Sequence, residues 1–179
     1  MSKTELDIRI DDLSSPEVVS LLQSHLEGMQ SQTPPESVHA LDLGDYQSAE
    51  LTLWTVWDGG VLMGCGALKD LGVLSGERRS SERNSDSDSD SEGHGERHGE
   101  IKTMRTAEEH LRKGVADAVL TTIIDHAKSI GMTRLSLETG RTELFTAAQQ
   151  FYLKRGFVET SPFADYTNDP HSMFLTLAL

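Results

Sequence analysis

A strand that runs into a helix through a small, basic turn constrains this chain more than any other feature. Gly99-Glu100-Ile101-Lys102-Thr103-Met104-Arg105-Thr106 reads as a short strand, and Leu111-Arg112-Lys113-Gly114-Val115-Ala116 opens a long helix. The helix stripe is Val115, Val119, Ile123, Ala127 and Ile130, at the spacing of one buried face, and Gly131 closes it. Amides in the first turn of a helix lack carbonyl partners, and the helix dipole adds partial positive charge there. Gly114 and Ala116 leave that backbone open to a ligand. Such a junction is suited to anionic phosphates.

Composition narrows the setting. At 179 residues the length fits one domain, 1–179, with a real core. The net charge of -13 argues against nonspecific binding to nucleic acid or to an anionic membrane, since both require a basic surface. It is compatible with a cationic or amine substrate. A single cysteine, Cys65, excludes an intramolecular disulfide framework and a multi-cysteine zinc site. Neither a secretory leader nor a run of about 20 apolar residues is present, so the expectation is a cytoplasmic protein.

Local patterns define the other elements. Leu6-Asp7-Ile8-Arg9-Ile10 alternates as a half-buried strand does. Ser15-Pro16-Glu17 starts a helix whose apolar face is Val18, Leu22, Leu26 and Met29, and Pro34-Pro35 ends it. Ser37 to Asp42 is a connector with one helical turn, and its His39 is a candidate substrate contact. Glu50–Trp57 and Val61–Leu68 form a hairpin around Asp58-Gly59-Gly60. Cys65, between two glycines in the second strand, reads as a small buried residue beside a bulge rather than a nucleophile. From Ser75 to Gly99 the chain is nearly devoid of apolar residues and carries the run Ser85-Asp86-Ser87-Asp88-Ser89-Asp90. That composition predicts a disordered acidic insertion between two strands, with His94 and His98 solvated. Arg134–Thr139 is another alternating strand. Thr142 is positioned to cap a helix that buries Leu144, Ala148, Phe151 and Tyr152 and ends at Gly156. Phe157–Thr160 and His171–Leu179 make two last strands, joined by a long connector containing Phe163, Asp165 and Tyr166.

Two motifs carry a family resemblance. Leu111-Arg112-Lys113-Gly114-Val115-Ala116 is similar to the Gln/Arg-x-x-Gly-x-Gly/Ala pyrophosphate loop of the GNAT superfamily of acyl-CoA-dependent N-acyltransferases. Phe145-x-x-Ala148-x-x-x-Tyr152-x-x-x-Gly156-Phe157 resembles the helix of the same superfamily that ends in Gly-Phe. Leu111 departs from the pattern, with Arg112 and Lys113 supplying the basic character. Phe145 stands where many members have a cofactor-contacting asparagine. Pro34 to Asp42, Leu137-Glu138-Thr139-Gly140 and Pro162 to Tyr166 look like a subgroup found widely in bacteria. The resemblance implies an α/β (α+β) fold: a mixed, mostly antiparallel sheet of six to seven strands, flanked by helices, with splayed central strands.

It also implies an activity, the transfer of an acetyl group from acetyl-CoA to a primary amine of a small molecule or peptide. Transfer would be by direct attack, with no covalent enzyme intermediate and no metal. The pyrophosphate would lie on residues 111–116, and the pantetheine arm would pair with Met104, Arg105 and Thr106 at the strand's end. Phe145 and Ala148 would border the cofactor. Tyr152 sits at the family's general-acid position, where a phenol of pKa about 10 stays protonated at neutral pH. Glu100 lies fourteen residues before Gly114, the spacing of the glutamate base in the histone-acetylating branch. Either Glu100 or a water chain would take the amine proton. His39, Phe163 and Tyr166 would contact the acceptor. The expected assembly is a monomer or homodimer. Two other readings share these features: a non-catalytic acyl-CoA-binding or regulatory module, and an interaction protein that docks a partner through the acidic insertion.

Overall fold

The structure is a computed structural model that describes residues 6–32, 34, 39, 41–74 and 95–179. Among these residues seven strands form one sheet: β1 (Asp7–Ile10), β2 (Leu51–Asp58), β3 (Val61–Leu74), β4 (Glu96–Thr106), β5 (Arg134–Gly140), β6 (Val158–Thr160) and β7 (Ser172–Ala178). Their spatial order is β1-β2-β3-β4-β5-β7-β6, antiparallel except between β4 and β5. Among the described residues three α-helices flank the sheet: α1 (Pro16–Gln32), α2 (Val115–Ser129) and α3 (Thr146–Lys154). None among the described residues is long and apolar enough to cross a membrane.

The two sheet faces bury different things. One packs Trp54, Val56, Ile101, Leu135, Leu137 and Leu175 against Val115, Val119 and Ile123 of α2 and against Tyr152 and Phe157. The other packs Leu53, Trp57, Cys65 and Ala67 of the hairpin against Val18 and Leu22 of α1. Strand alternation produces this division, because successive side chains point to opposite faces.

Two irregularities in β4 open the middle of the sheet. Its parallel ladder with β5 pairs only His98 with Arg134, Gly99 with Leu135 and Glu100 with Ser136. Beyond that point the strands part, so the β5-facing edge of β4 is unpaired from Ile101 onward. On its other edge β4 pairs Lys102 with Ala67 and then Arg105 with Cys65, so Thr103 and Met104 both stand opposite Gly66. This is a β-bulge, and Thr103 adopts φ 49°, a strained conformation for a β-branched residue. The extra residue turns Lys102 and Thr103 to the α1 face together and returns Met104 to the α2 face. Cys65 lies buried beside this bulge, as its flanking glycines suggested.

Gly66 makes the close approach of α2 possible. A Cβ there would lie 2.4 Å from Val119 Cγ1 of α2 and 2.6 Å from Met104 Sδ. Gly66→Ala is therefore expected to cost about 1–3 kcal/mol, a fall in melting temperature of several degrees. Gly28 of α1 is the control: a Cβ there meets nothing within 4 Å, and Gly28→Ala should raise stability by up to about 1 kcal/mol. Thermal unfolding followed by circular dichroism reads both; equal effects would refute the packing argument.

Several expectations need correction. β3 extends six residues past Leu68, to Leu74, and β4 begins at Glu96, so residues 96–99 of the expected insertion are strand. Residues 75–94, including the Ser-Asp run and His94, lie outside the described residues. His98 is not solvated: it is buried, and its Nε2 lies 2.7 Å from Ser136 Oγ on β5. Thr142 makes no side-chain cap bond. It precedes a 3-10 turn, Glu143–Phe145, and α3 starts only at Thr146. The tighter turn moves Leu144 out of phase with Ala148 and Tyr152, leaving it 65% exposed. Of the connector expected to hold one helical turn, residues 37, 38 and 40 lie outside the described residues, and a 3-10 turn occurs later, at Asp45–Gln47.

Candidate active site

The parting of β4 and β5 creates a wedge with a different chemistry on each side. At one end stands the N-terminus of α2. Gly114 is its cap residue, at φ 83°, and Arg112 also has positive φ, 61°. The first helical bond runs from Ala118 N–H to Gly114 O (3.0 Å), so Val115, Ala116 and Asp117 have no intrahelical carbonyl for their amides. Leu111, Arg112, Lys113 and Gly114 are exposed, and a Cβ on Gly114 would meet nothing within 4 Å. A groove of about 980 Å³ reaches this turn at Lys113, Gly114, Asp117 and Ala118. The donor set is that of a polyanion site.

On the α2 face, Tyr152 of α3 is 6% exposed, with its ring edge-on to Phe151 (5.2 Å) and Phe157 (5.4 Å). Among the described residues nothing hydrogen-bonds its hydroxyl. Burial pushes the phenol well above its ordinary pKa, so the group stays protonated. α3 is fixed to the end of β5 by Gln149 Nε2, which donates to Gly140 O (2.7 Å). The Phe145 ring lies against Gly140, where an added Cβ would fall 2.3 Å from Cδ2. Phe145 thus packs on β5, and Ala148 is half-buried against the core.

The α1 face holds a polar cluster. Tyr166 Oη donates to Glu100 Oε1 at 2.6 Å, Lys102 Nζ lies 2.9 Å from the same oxygen, and Lys102 also donates to Tyr166 Oη at 2.7 Å. Glu100 is 3% exposed. Its Oε1 is therefore already paired inside the fold, a constraint the expected role as base has to meet. His39 sits edge-on to Tyr166 (5.0 Å), with its carbonyl 3.3 Å from Lys102 Nζ. Phe163 packs on Tyr166 (5.1 Å) and Phe174 (6.1 Å), so the segment after β6 roofs this face. Burial, and then the Glu100 charge, raise the Tyr166 pKa, keeping it a donor.

The structure thus brings together Glu100, His39, Phe163 and Tyr166 on one side of the sheet and Tyr152 and Ala148 on the other, with Phe145 against the end of β5 at Gly140. Met104, Arg105 and Thr106 line the unpaired edge between them. Sequence reasoning passed over Lys102 and Glu138. The Glu138 carboxylate accepts from Ser172 Oγ at 2.6 Å, and burial raises its pKa against the opposing influence of Ser172, His39 and Lys102. The available signal was alternation: Leu135 and Leu137 are core, which places Ser136 and Glu138 with Glu100 on the opposite face.

A mostly antiparallel sheet splayed beside a helix N-terminus is an acyltransferase architecture, and comparison with known proteins agrees. Residues 18–157 match the family model described as the acetyltransferase (GNAT) family. The chain is 45% identical over 174 residues to the uncharacterized N-acetyltransferase YsnE of Bacillus subtilis (strain 168), covering 97% of this chain and 100% of that protein. It is 44% identical to the uncharacterized N-acetyltransferase YedL of Escherichia coli (strain K12), covering 96% and 94%. A Bacillus subtilis acetyltransferase solved in complex with CoA superposes with a TM-score of 0.62 at 18% identity, over 98% of this chain and 99% of that one. The chain belongs to the GNAT acetyltransferase family and is an acyltransferase.

Proposed function

We propose that this protein moves the acetyl group of acetyl-CoA to a primary amine of a small molecule or peptide. The observation that carries the reading is the wedge itself: one open strand edge with a phosphate-type helix terminus, a buried phenol on one face and a buried carboxylate cluster on the other. Acetyl-CoA supplies a thioester, an acyl group activated toward amines. Residues 111–116 would hold its pyrophosphate, and the free edge of β4 at Met104–Thr106 would pair with the pantetheine arm. Direct attack fits these residues, since Cys65 is buried and burial raises its thiol pKa to about 12, which keeps it from acting as a thiolate nucleophile. Tyr152 would donate to the departing sulfur, and the Glu100–Lys102–Tyr166 cluster would shape the acceptor pocket.

The test is release of free thiol from acetyl-CoA across a panel containing an alkyl monoamine, a diamine, a lysine peptide and an α-amino acid. CoA affinity is measured in parallel by titration calorimetry. Turnover with at least one member is expected. Tight CoA binding with no turnover on any amine would favour a binding module, and no CoA binding would overturn the cofactor assignment.

A further inference from the structure

We infer that Glu138, rather than Glu100, is the carboxylate that receives the acceptor ammonium and takes its proton. This rests on the N-acetyltransferase reading and names the residue that prepares the amine. Glu138 and Lys102 are the first α1-face residues past the point where β4 and β5 cease to pair, so they flank the mouth of the wedge. Glu100 and Ser136 sit behind them, at its apex. A cavity of about 70 Å³ opens on this face, lined by Glu138, Glu100, Lys102, Tyr166, His39 and His25 among others. A cavity of that size has room for several waters and admits the aminomethyl end of an acceptor.

The two glutamates differ in what already holds them. Glu100 Oε1 carries both an ammonium and a phenol hydroxyl. Among the described residues, Glu138 has one neutral donor, Ser172 Oγ from β7, and no ion pair within 4 Å. The groups facing it are Glu100 and Lys102 from β4, Tyr166 from the roofing segment, His39 from the connector and His25 from α1. Burial, with Arg105 adding to it, holds His25 down at about 4, so it is neutral at working pH. Asp169 lies 3.9 Å from His39 and balances that side chain when it is protonated. An ammonium entering the cavity therefore meets two carboxylates and a single lysine charge, Lys102, which is bonded to Glu100 and reaches Glu138 only at longer range. Burial also raises the pKa of Glu138 above its ordinary value, which makes it a better base than a solvated glutamate.

Protons and bonds balance in this scheme. The ammonium gives one proton to Glu138, which later returns it to solvent. The freed lone pair forms the N–C bond as the C–S bond breaks, and the sulfur leaves with a proton from Tyr152. The amide nitrogen then loses its second proton, which restores the Tyr152 hydroxyl.

The experiment is the pH dependence of kcat/KM for wild type, Glu138→Gln, Glu138→Asp and Glu100→Gln, with CoA affinity measured for each. Wild type should rise with pH through the elevated pKa of Glu138 and then reach a plateau. Glu138→Gln should lose at least about 100-fold near pH 7 with unchanged CoA affinity. Its rate should climb tenfold per pH unit toward the amine's own pKa, because only free amine then reacts, and the deficit should shrink accordingly. Glu138→Asp should recover part of the rate. A deficit constant across pH, full activity in Glu138→Gln, or the climbing profile in Glu100→Gln instead would overturn the assignment while leaving the enzyme an N-acetyltransferase. A wild type that binds CoA yet acetylates no amine in the panel would overturn both.

Discussion

Tyr152→Phe should lower kcat by about 10²- to 10³-fold, some 3–4 kcal/mol of transition-state stabilisation, and leave CoA affinity within a few-fold of wild type. The substitution removes one oxygen and keeps the ring that packs between Phe151 and Phe157. Because no described residue hydrogen-bonds that hydroxyl, the fold loses no internal bond, and melting temperature should stay within a few degrees. The raised pKa fixes the sign of the pH effect. A phenol pushed above its ordinary value remains protonated well past neutrality, so wild type should show no alkaline fall from Tyr152 below about pH 10. It is then a firm hydrogen-bond donor to sulfur but a reluctant acid. Complete transfer waits until charge has built on the departing thiolate, so the loss should appear in kcat rather than in KM. Steady-state and single-turnover kinetics check this. A Tyr152→Phe enzyme with full kcat would remove Tyr152 from the chemistry and leave it as a core residue.

The legible and illegible parts of this site divide along physical lines. Gly114 with the helix start, the hairpin, and the helix carrying Tyr152 are all local. Periodicity, a glycine at a turn and a proline at a helix start act within a few residues, so reading them needs no knowledge of the fold. The acceptor pocket is assembled from distance. Tyr166 reaches back 66 residues to Glu100, and Ser172 reaches 34 residues to Glu138. His98 shows how this misleads. Its neighbours Gly95 and Gly99 and the acidic stretch before them have the composition of a solvated linker. Its partner Ser136 is 38 residues away, on a strand that only a helical crossover brings alongside. The β4 bulge was equally hidden, since Thr103 is a residue type that disfavours positive φ and the register of β3 imposes it. Leu144 misleads for the opposite reason: the helical spacing of apolar residues continues one turn beyond α3, into the 3-10 turn.

Gly114→Val should weaken CoA binding by at least about 30-fold, roughly 2 kcal/mol, with Gly114→Ala intermediate. Two effects of this substitution must be separated. At φ 83° any side chain is strained by about 1–2 kcal/mol, which destabilises the fold whether or not a ligand is present. The second effect is steric and concerns the ligand alone. Among the described residues nothing lies within 4 Å of a Cβ at this position, so a valine there would occupy space they leave open, above the free amides of α2. Gly131 offers the matched control. It closes the other end of the same helix at φ 78°, and a Cβ there also meets nothing within 4 Å. Gly131→Val should therefore show a comparable drop in melting temperature and bind CoA as wild type does. If both variants lose affinity together, CoA binding tracks the stability of α2 and the turn is only a helix start. If only Gly114→Val loses it, while remaining as stable as its control, the space above Gly114 is where the phosphates sit.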